Sequence, residues 1–269
     1  MTAIPLWTRE AAAPCERVAH ALFVVFANGP LANDVPLSMA KYGVPGRDHL
    51  AHVAVSEHAG EGSQEWVDGW RTGPLREIAA QDLGAAAAAL DAADRCFTVD
   101  AKVQDPEDLG YLQTAWALVR WLAERGATVI LDAHVGRFLT PGRIAAVDAE
   151  FDVRREAQIV FESEATEAGG GHVIHTRGMH KWGRPDVVAV CSPDDAEAVA
   201  EVIWEIADGM AAGFMPGSPR QGVDVSDALT LYLDQDMRGY EAELGLNNDA
   251  RVLVQEDGAP LVGLGPRLG

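Results

Sequence analysis

Apolar and polar positions change period several times along this chain, and each change marks an element. The first strong signal is Val18 to Ala27, VAHALFVVFA, closed by Asn28-Gly29-Pro30. A β-rich apolar run stopped by turn formers predicts a buried strand. His52 to Ser56 and Arg95 to Ala101 predict two more strands. Between the first two, Asn33 to Asp48 carries Pro36, Gly43, Pro45 and Gly46, which predicts loop with short structure at most. Pro74 to Leu90 reads as helix with a break at Gly84, and its five-alanine run suits a helix packed closely on a neighbour.

The clearest helix follows Arg95 to Ala101. Asp105 and Pro106 suit its start, Glu107 and Asp108 complement its dipole, and Gly126 ends it. Leu109, Leu112, Trp116, Val119 and Leu122 recur at helical spacing and predict the buried stripe. Ala127 to Leu131 then reads as a buried strand, so strand, helix and strand together predict a parallel crossover unit. Thr140-Pro141 opens a short helix to about Val147. Strands are expected at Gln158 to Glu162, His172 to Thr176 and Val187 to Cys191, with a glycine turn at Ala168 to Gly171. Ser192-Pro193-Asp194-Asp195 starts a second long helix, with Val199, Val202, Ile203, Ile206 and Met210 on its apolar face and Gly213 as its stop. Met215 to Gly222 reads as loop, Ala228 to Asp234 as an alternating strand, and Arg251 to Gln255 with Asp257-Gly258 as a hairpin. The pattern predicts an α+β fold: one compact domain over 1–269 with a mixed β-sheet and helices packed on it. A small C-terminal β element over 223–258 and a frayed tail over 263–269 complete the expectation.

Composition narrows the partners. Lys and Arg total 21 against 41 Asp and Glu, a net charge of -20. Such a chain repels phosphate backbones and anionic membrane surfaces, so neither nucleic acid nor membrane is expected as a partner. Cys15, Cys96 and Cys191 are scattered, with no CxxC, which suits a reducing compartment. The first residues show no basic run followed by an apolar core, and the apolar runs fall short of the ~20 residues of a spanning helix. A cytoplasmic location is therefore expected.

Catalytic signatures are missing: there is no GxSxG, HExxH, dinucleotide glycine fingerprint or calcium loop. Gly178 and Gly183 begin with P-loop spacing, but Arg184 and Pro185 stand where a Lys and a hydroxyl residue are needed. The stretch His172 to Asp186, HVIHTRGMHKWGRPD, is nonetheless the most unusual in the chain. Its candidate anion-binding residues are His175, Arg177, His180, Lys181 and Arg184, with a guanidinium able to hold a phosphate or carboxylate in two-pronged fashion. The alternative is that these cations pair internally with the chain's own acids. His172, His175 and His180 are poor zinc ligands as a set, since strand residues three apart face opposite ways, and no metal or other cofactor is expected. Asp132 and His134, two apart after a predicted buried strand, are the candidate acid–base pair, with Asp132 orienting His134; loop hydrogen bonding is the other use of such residues. Trp66 and Trp70, four apart, could stack on a ring but more often anchor a core. Asp234 and Asp236 form a carboxylate pair with no evident metal partner.

The segments AHVAVS, LQTAWALVRWLAERGATVILD and above all HTRGMHKWGRPDV resemble the bacterial domain-of-unknown-function family 4261. The resemblance covers roughly Ala21 to Val254 and implies a compact α/β fold without an assigned activity. Taken together, the sequence points to an intracellular, non-catalytic binding or interaction domain, using its acidic surface or its basic loop on an unknown protein partner or a small anionic ligand. The competing expectation is a hydrolase-like enzyme in which Arg177 and Arg184 hold the anion and Asp132 with His134 supply acid–base chemistry.

Overall fold

The computed structural model describes residues 4–14, 17–162, 172–214, 220–226, 229–236 and 247–261. The turn expected at Ala168 to Gly171 and the tail over 263–269 lie outside the described residues. The fold is α+β. It divides into two compact units, Met1–Thr8 with Val18–Phe151, and Arg9–Arg17 with Asp152–Gly269, a subdivision that no linker in the sequence announces. Among the described residues no helix is long and apolar enough to cross a membrane.

Unit 1 is built on an antiparallel sheet. Its strands are β1 (Val18–Ala27), β2 (Val53–Ala59), β3 (Arg95–Gln104), β4 (Val129–Asp132) and β5 (Arg137–Leu139), in the order β2-β3-β1-β4-β5. Its helices are α1 (Met39–Tyr42), α2 (Arg47–Leu50), α3 (Gln64–Gly69), α4 (Pro74–Leu83), α5 (Ala87–Asp91) and α6 (Gly110–Glu124). The strand–helix–strand segment β3-α6-β4 does form a crossover, but its two strands are not neighbours. Both pair antiparallel with β1, which lies between them. Period-two alternation along β1 gives the sheet two different faces. Phe23 packs against Trp116 of α6 with ring centroids 4.3 Å apart. Val24 and Phe26, on the opposite face, join Cys96, Val129 and Leu131 in a core closed by Val67, Ala79, Leu83 and Leu90 of α3 to α5. The stripe Leu109, Leu112, Trp116, Val119 and Leu122 is buried throughout.

Two local expectations change. The break at Gly84 is real: α4 stops at Leu83 and a short 3-10 turn leads into α5. The start of α6 lies four residues later than Asp105 predicts, at Gly110 with Leu109 as its N-cap. Asp105 has φ 41, outside helical geometry, and the Gly110 N–H donates instead to the Asp108 carboxylate at 2.8 Å. The helix expected over Thr140 to Val147 is only a 3-10 turn at Pro141–Arg143.

Unit 2 carries α7 (Val153–Glu156), β6 (Gln158–Glu162), β7 (His172–Arg177), β8 (Asp186–Cys191), α8 (Ala196–Ala211), β9 (Arg220–Ser226), β10 (Leu229–Asp234) and β11 (Ala250–Val254). The sheet order is β6-β7-β8-β11-β10-β9. Among the described strands β8 and β11 pair in parallel and the other neighbours antiparallel, which makes this sheet mixed. The strands within 223–258 therefore continue the sheet of β6 to β8. The Ser192 hydroxyl accepts from the Asp195 N–H to open the turn into α8, and Gly213 at φ 104 closes the helix.

Candidate functional site

Most of the basic loop in unit 2 faces inward. Between β7 and β8 the chain makes one 3-10 turn, Met179–Trp182, flanked by Gly178 and Gly183 in left-handed conformation. That tight return drives Lys181 and Trp182 into the interior. The Lys181 ammonium lies 2.9 Å from the Glu156 carboxylate of α7, and both side chains are wholly sealed from solvent. Arg184 is equally buried. Its guanidinium donates to the carbonyls of Gly213 at 2.8 Å, Phe214 at 3.2 Å and Ala13 at 3.1 Å. It thus serves the carbonyl end of α8, where the helix dipole is negative. Arg9 does the same from another direction, donating to the carbonyls of Ala211 and Met210.

The rest of the loop follows this pattern. His175 is buried, its Nδ1 3.1 Å from the Thr176 carbonyl, and burial holds its imidazole below the usual histidine range. Asp186 accepts from the Thr176 hydroxyl at 2.8 Å and from the Asn248 amide at 2.9 Å. Burial nevertheless outweighs these bonds and pushes its carboxyl up to about 7. Arg177 and His180 are the half-buried members of the sequence-picked set. The outward cationic island expected from composition is thus absent at Lys181 and Arg184, because a two-glycine return between adjacent strands leaves its middle residues nowhere to point but in.

In unit 1 the candidate pair separates onto different surroundings. Asp132 is the last residue of β4, in register with Phe23 and so on the α6 face of the sheet. His134 sits in the turn of the β4–β5 hairpin, which the Gly136 N–H closes on the Asp132 carbonyl at 2.8 Å. The Ala133 N–H still bonds the Leu22 carbonyl, so the turn stays against β1 and sets the His134 ring beside His20, centroids 4.7 Å apart.

The carboxylate that meets an imidazole here is Asp100. In the register of β1 and β3, Leu22 faces Asp100 and His20 faces Lys102. The diagonal brings His20 Nε2 within 2.9 Å of Asp100 Oδ1, while Lys102 Nζ holds Oδ2 at 2.7 Å. No family model, curated protein or solved structure matches this chain. The site must therefore be read from its own chemistry. Burial is the largest influence on His20 and outweighs the pull of Asp100, so its imidazole titrates below the usual range. Further along the same face His58 Nε2 lies 3.3 Å from the Thr98 hydroxyl, and the exposed Trp66 ring tilts over His58 at 5.1 Å and meets Trp70 edge-on. The half of this face bearing Val24 and Phe26 is sealed by α3 to α5; the half bearing His20, Asp100 and Lys102 carries polar side chains. Cys96 and Cys191 offer no nucleophile, since burial pushes both thiols up to about 11.

His20 and Asp100 did not stand out in the sequence. Each shares its strand face with core residues further along, Val24 and Phe26 on β1 and Cys96 on β3, and a polar residue on such a face was the available signal.

Proposed function

We propose that this chain is a binding protein whose small-ligand site is the histidine end of the unit 1 sheet, formed by His20, His134 and Asp100. One observation carries this: a carboxylate-held imidazole and a second imidazole converge where a sheet face otherwise devoted to packing turns polar. A polar group taken from water is costly unless it is hydrogen-bonded, and here Asp100 supplies that bond to His20. The basic loop supports an anion site less well, because Lys181 and Arg184 are already engaged inside unit 2. The same fact weakens the hydrolase reading, which asked Arg184 to hold the substrate. The test is a fragment screen by ligand-observed NMR with small polar molecules. Hits should lose binding to the His20→Asn and His134→Asn variants; hits that bind all three proteins alike would refute the assignment.

A second reading, docking of a basic protein partner on the acidic surface, draws on the net charge of -20 together with the inward turn of Lys181 and Arg184, which takes two cations of the basic loop off the surface. The resemblance to family 4261 is compatible with either reading and adds no activity.

A further inference from the structure

Resting on the reading that the ligand site is the histidine end of unit 1, we infer that this site binds a transition-metal ion through His20 and His134, with Asp100 orienting His20. The two side chains each offer a ring nitrogen, and these nitrogens lie within 4.8 Å of one another. Two imidazoles on one tetrahedral ion at bond lengths of about 2.0–2.1 Å hold their nitrogens roughly 3.3 Å apart. Side-chain rotation of at most about 1.5 Å at the nitrogens closes that difference, which ring torsions allow without moving backbone.

The surroundings have the form of a metal ligand's support. A ligating histidine characteristically gives its other N–H to a carboxylate, which fixes tautomer and ring orientation. Here Nε2 of His20 faces Asp100 Oδ1, so the lone pair falls on Nδ1. Lys102 occupies Asp100 Oδ2 and keeps that carboxylate in the supporting role. His134 is fixed differently, by a hairpin turn closed at Gly136 and tied to β1 through Ala133. Imidazole donors select zinc, copper, nickel or cobalt over magnesium and calcium, which prefer oxygen. Two protein ligands leave coordination positions open for water or a small polar molecule, which gives the proposed binding function its chemistry.

The experiment uses the untagged full chain with Zn2+ and Co2+ as probes. Zinc should shift the imidazole 15N signals of His20 and His134, and calorimetry should show one equivalent bound. His134→Asn should weaken zinc binding at least tenfold, and Asp100→Asn by roughly 10–100-fold. His172→Asn, on β7, should leave it unchanged. If His134→Asn fails to fold, the imidazole shifts of the unaltered chain decide alone. Zinc that leaves the two signals in place, or binds the His134 and Asp100 variants as tightly as the original, overturns the inference. Should zinc fail while polar fragments still require His134, the metal falls and the binding site stands; should both fail, the site itself is wrong.

Discussion

Replacing Lys181 by Met tests whether the basic loop is an internal strut. The ammonium and the Glu156 carboxylate are 2.9 Å apart with no solvent access. At an effective dielectric of ~20 their attraction is about 6 kcal/mol, most of it offset by the several kcal/mol needed to desolvate each ion. The intact pair is therefore near neutral in net terms, whereas deleting one partner strands a buried charge at a cost of about 3–5 kcal/mol. The structure predicts an asymmetry within that range. Arg155 Nε lies 3.5 Å from the other oxygen of Glu156, so Lys181→Met leaves the carboxylate a cation and should fall near the lower figure. Glu156→Leu takes the carboxylate from a buried ammonium and should fall near the upper one. The double variant should recover most of the loss. Urea titration gives the stability, and native-state amide exchange of β7 and β8 assigns it to unit 2, since two units need not unfold as one. A loss below ~1 kcal/mol for both single variants would refute the reasoning. Lys181 would then be a solvated cation, and the loop would again be available to an anion.

Two further outcomes follow from unit 2. Asp186, raised from 3.8 to about 7, binds a proton more tightly folded than unfolded. Its contribution is present below the unfolded value and lost as pH rises through about 7, at most about 4 kcal/mol. The urea midpoint should thus decline from pH 5 to pH 8 more steeply for the original chain than for Asp186→Asn, and parallel slopes would contradict the assignment. Gly213→Ala should destabilise α8, because a Cβ there would stand 1.7 Å from the Ala11 carbonyl oxygen and the backbone is at φ +104. The left-handed backbone alone costs roughly 1–2 kcal/mol, and an unchanged melting temperature would count against the described path of residues 9–14.

How much of this was legible in the sequence depends on the range of the interactions involved. β1 runs from Val18 to Ala27 as the apolar pattern predicts, and the apolar faces of α6 and α8 are buried at the predicted positions, because burial of a periodic face is decided by neighbours three and four residues away. The true start of α6 was not legible. Asp105 is a good acidic cap on paper, and only the chain's path into Gly110 shows that the first turn bonds to Asp108 instead. The insertion of β1 between β3 and β4 was hidden for a stronger reason. Strand order depends on pairings between segments some eighty residues apart, such as Leu22 with Asp100, and nothing local in either segment encodes them. The candidate site inherits that limit. Asp132 and His134 attracted notice because they are close in sequence, whereas the pair the fold assembles, His20 with Asp100, is diagonal across two strands and invisible until the register is known. Lys181 and Arg184 make the converse case. Composition marked them as an outward patch, but charge counts carry no direction, and a return of one 3-10 turn between Gly178 and Gly183 determined that they point into unit 2. Local pattern thus sufficed for the long strands and helices, such as β1, α6 and α8, while every functional assignment waited on register and turn geometry.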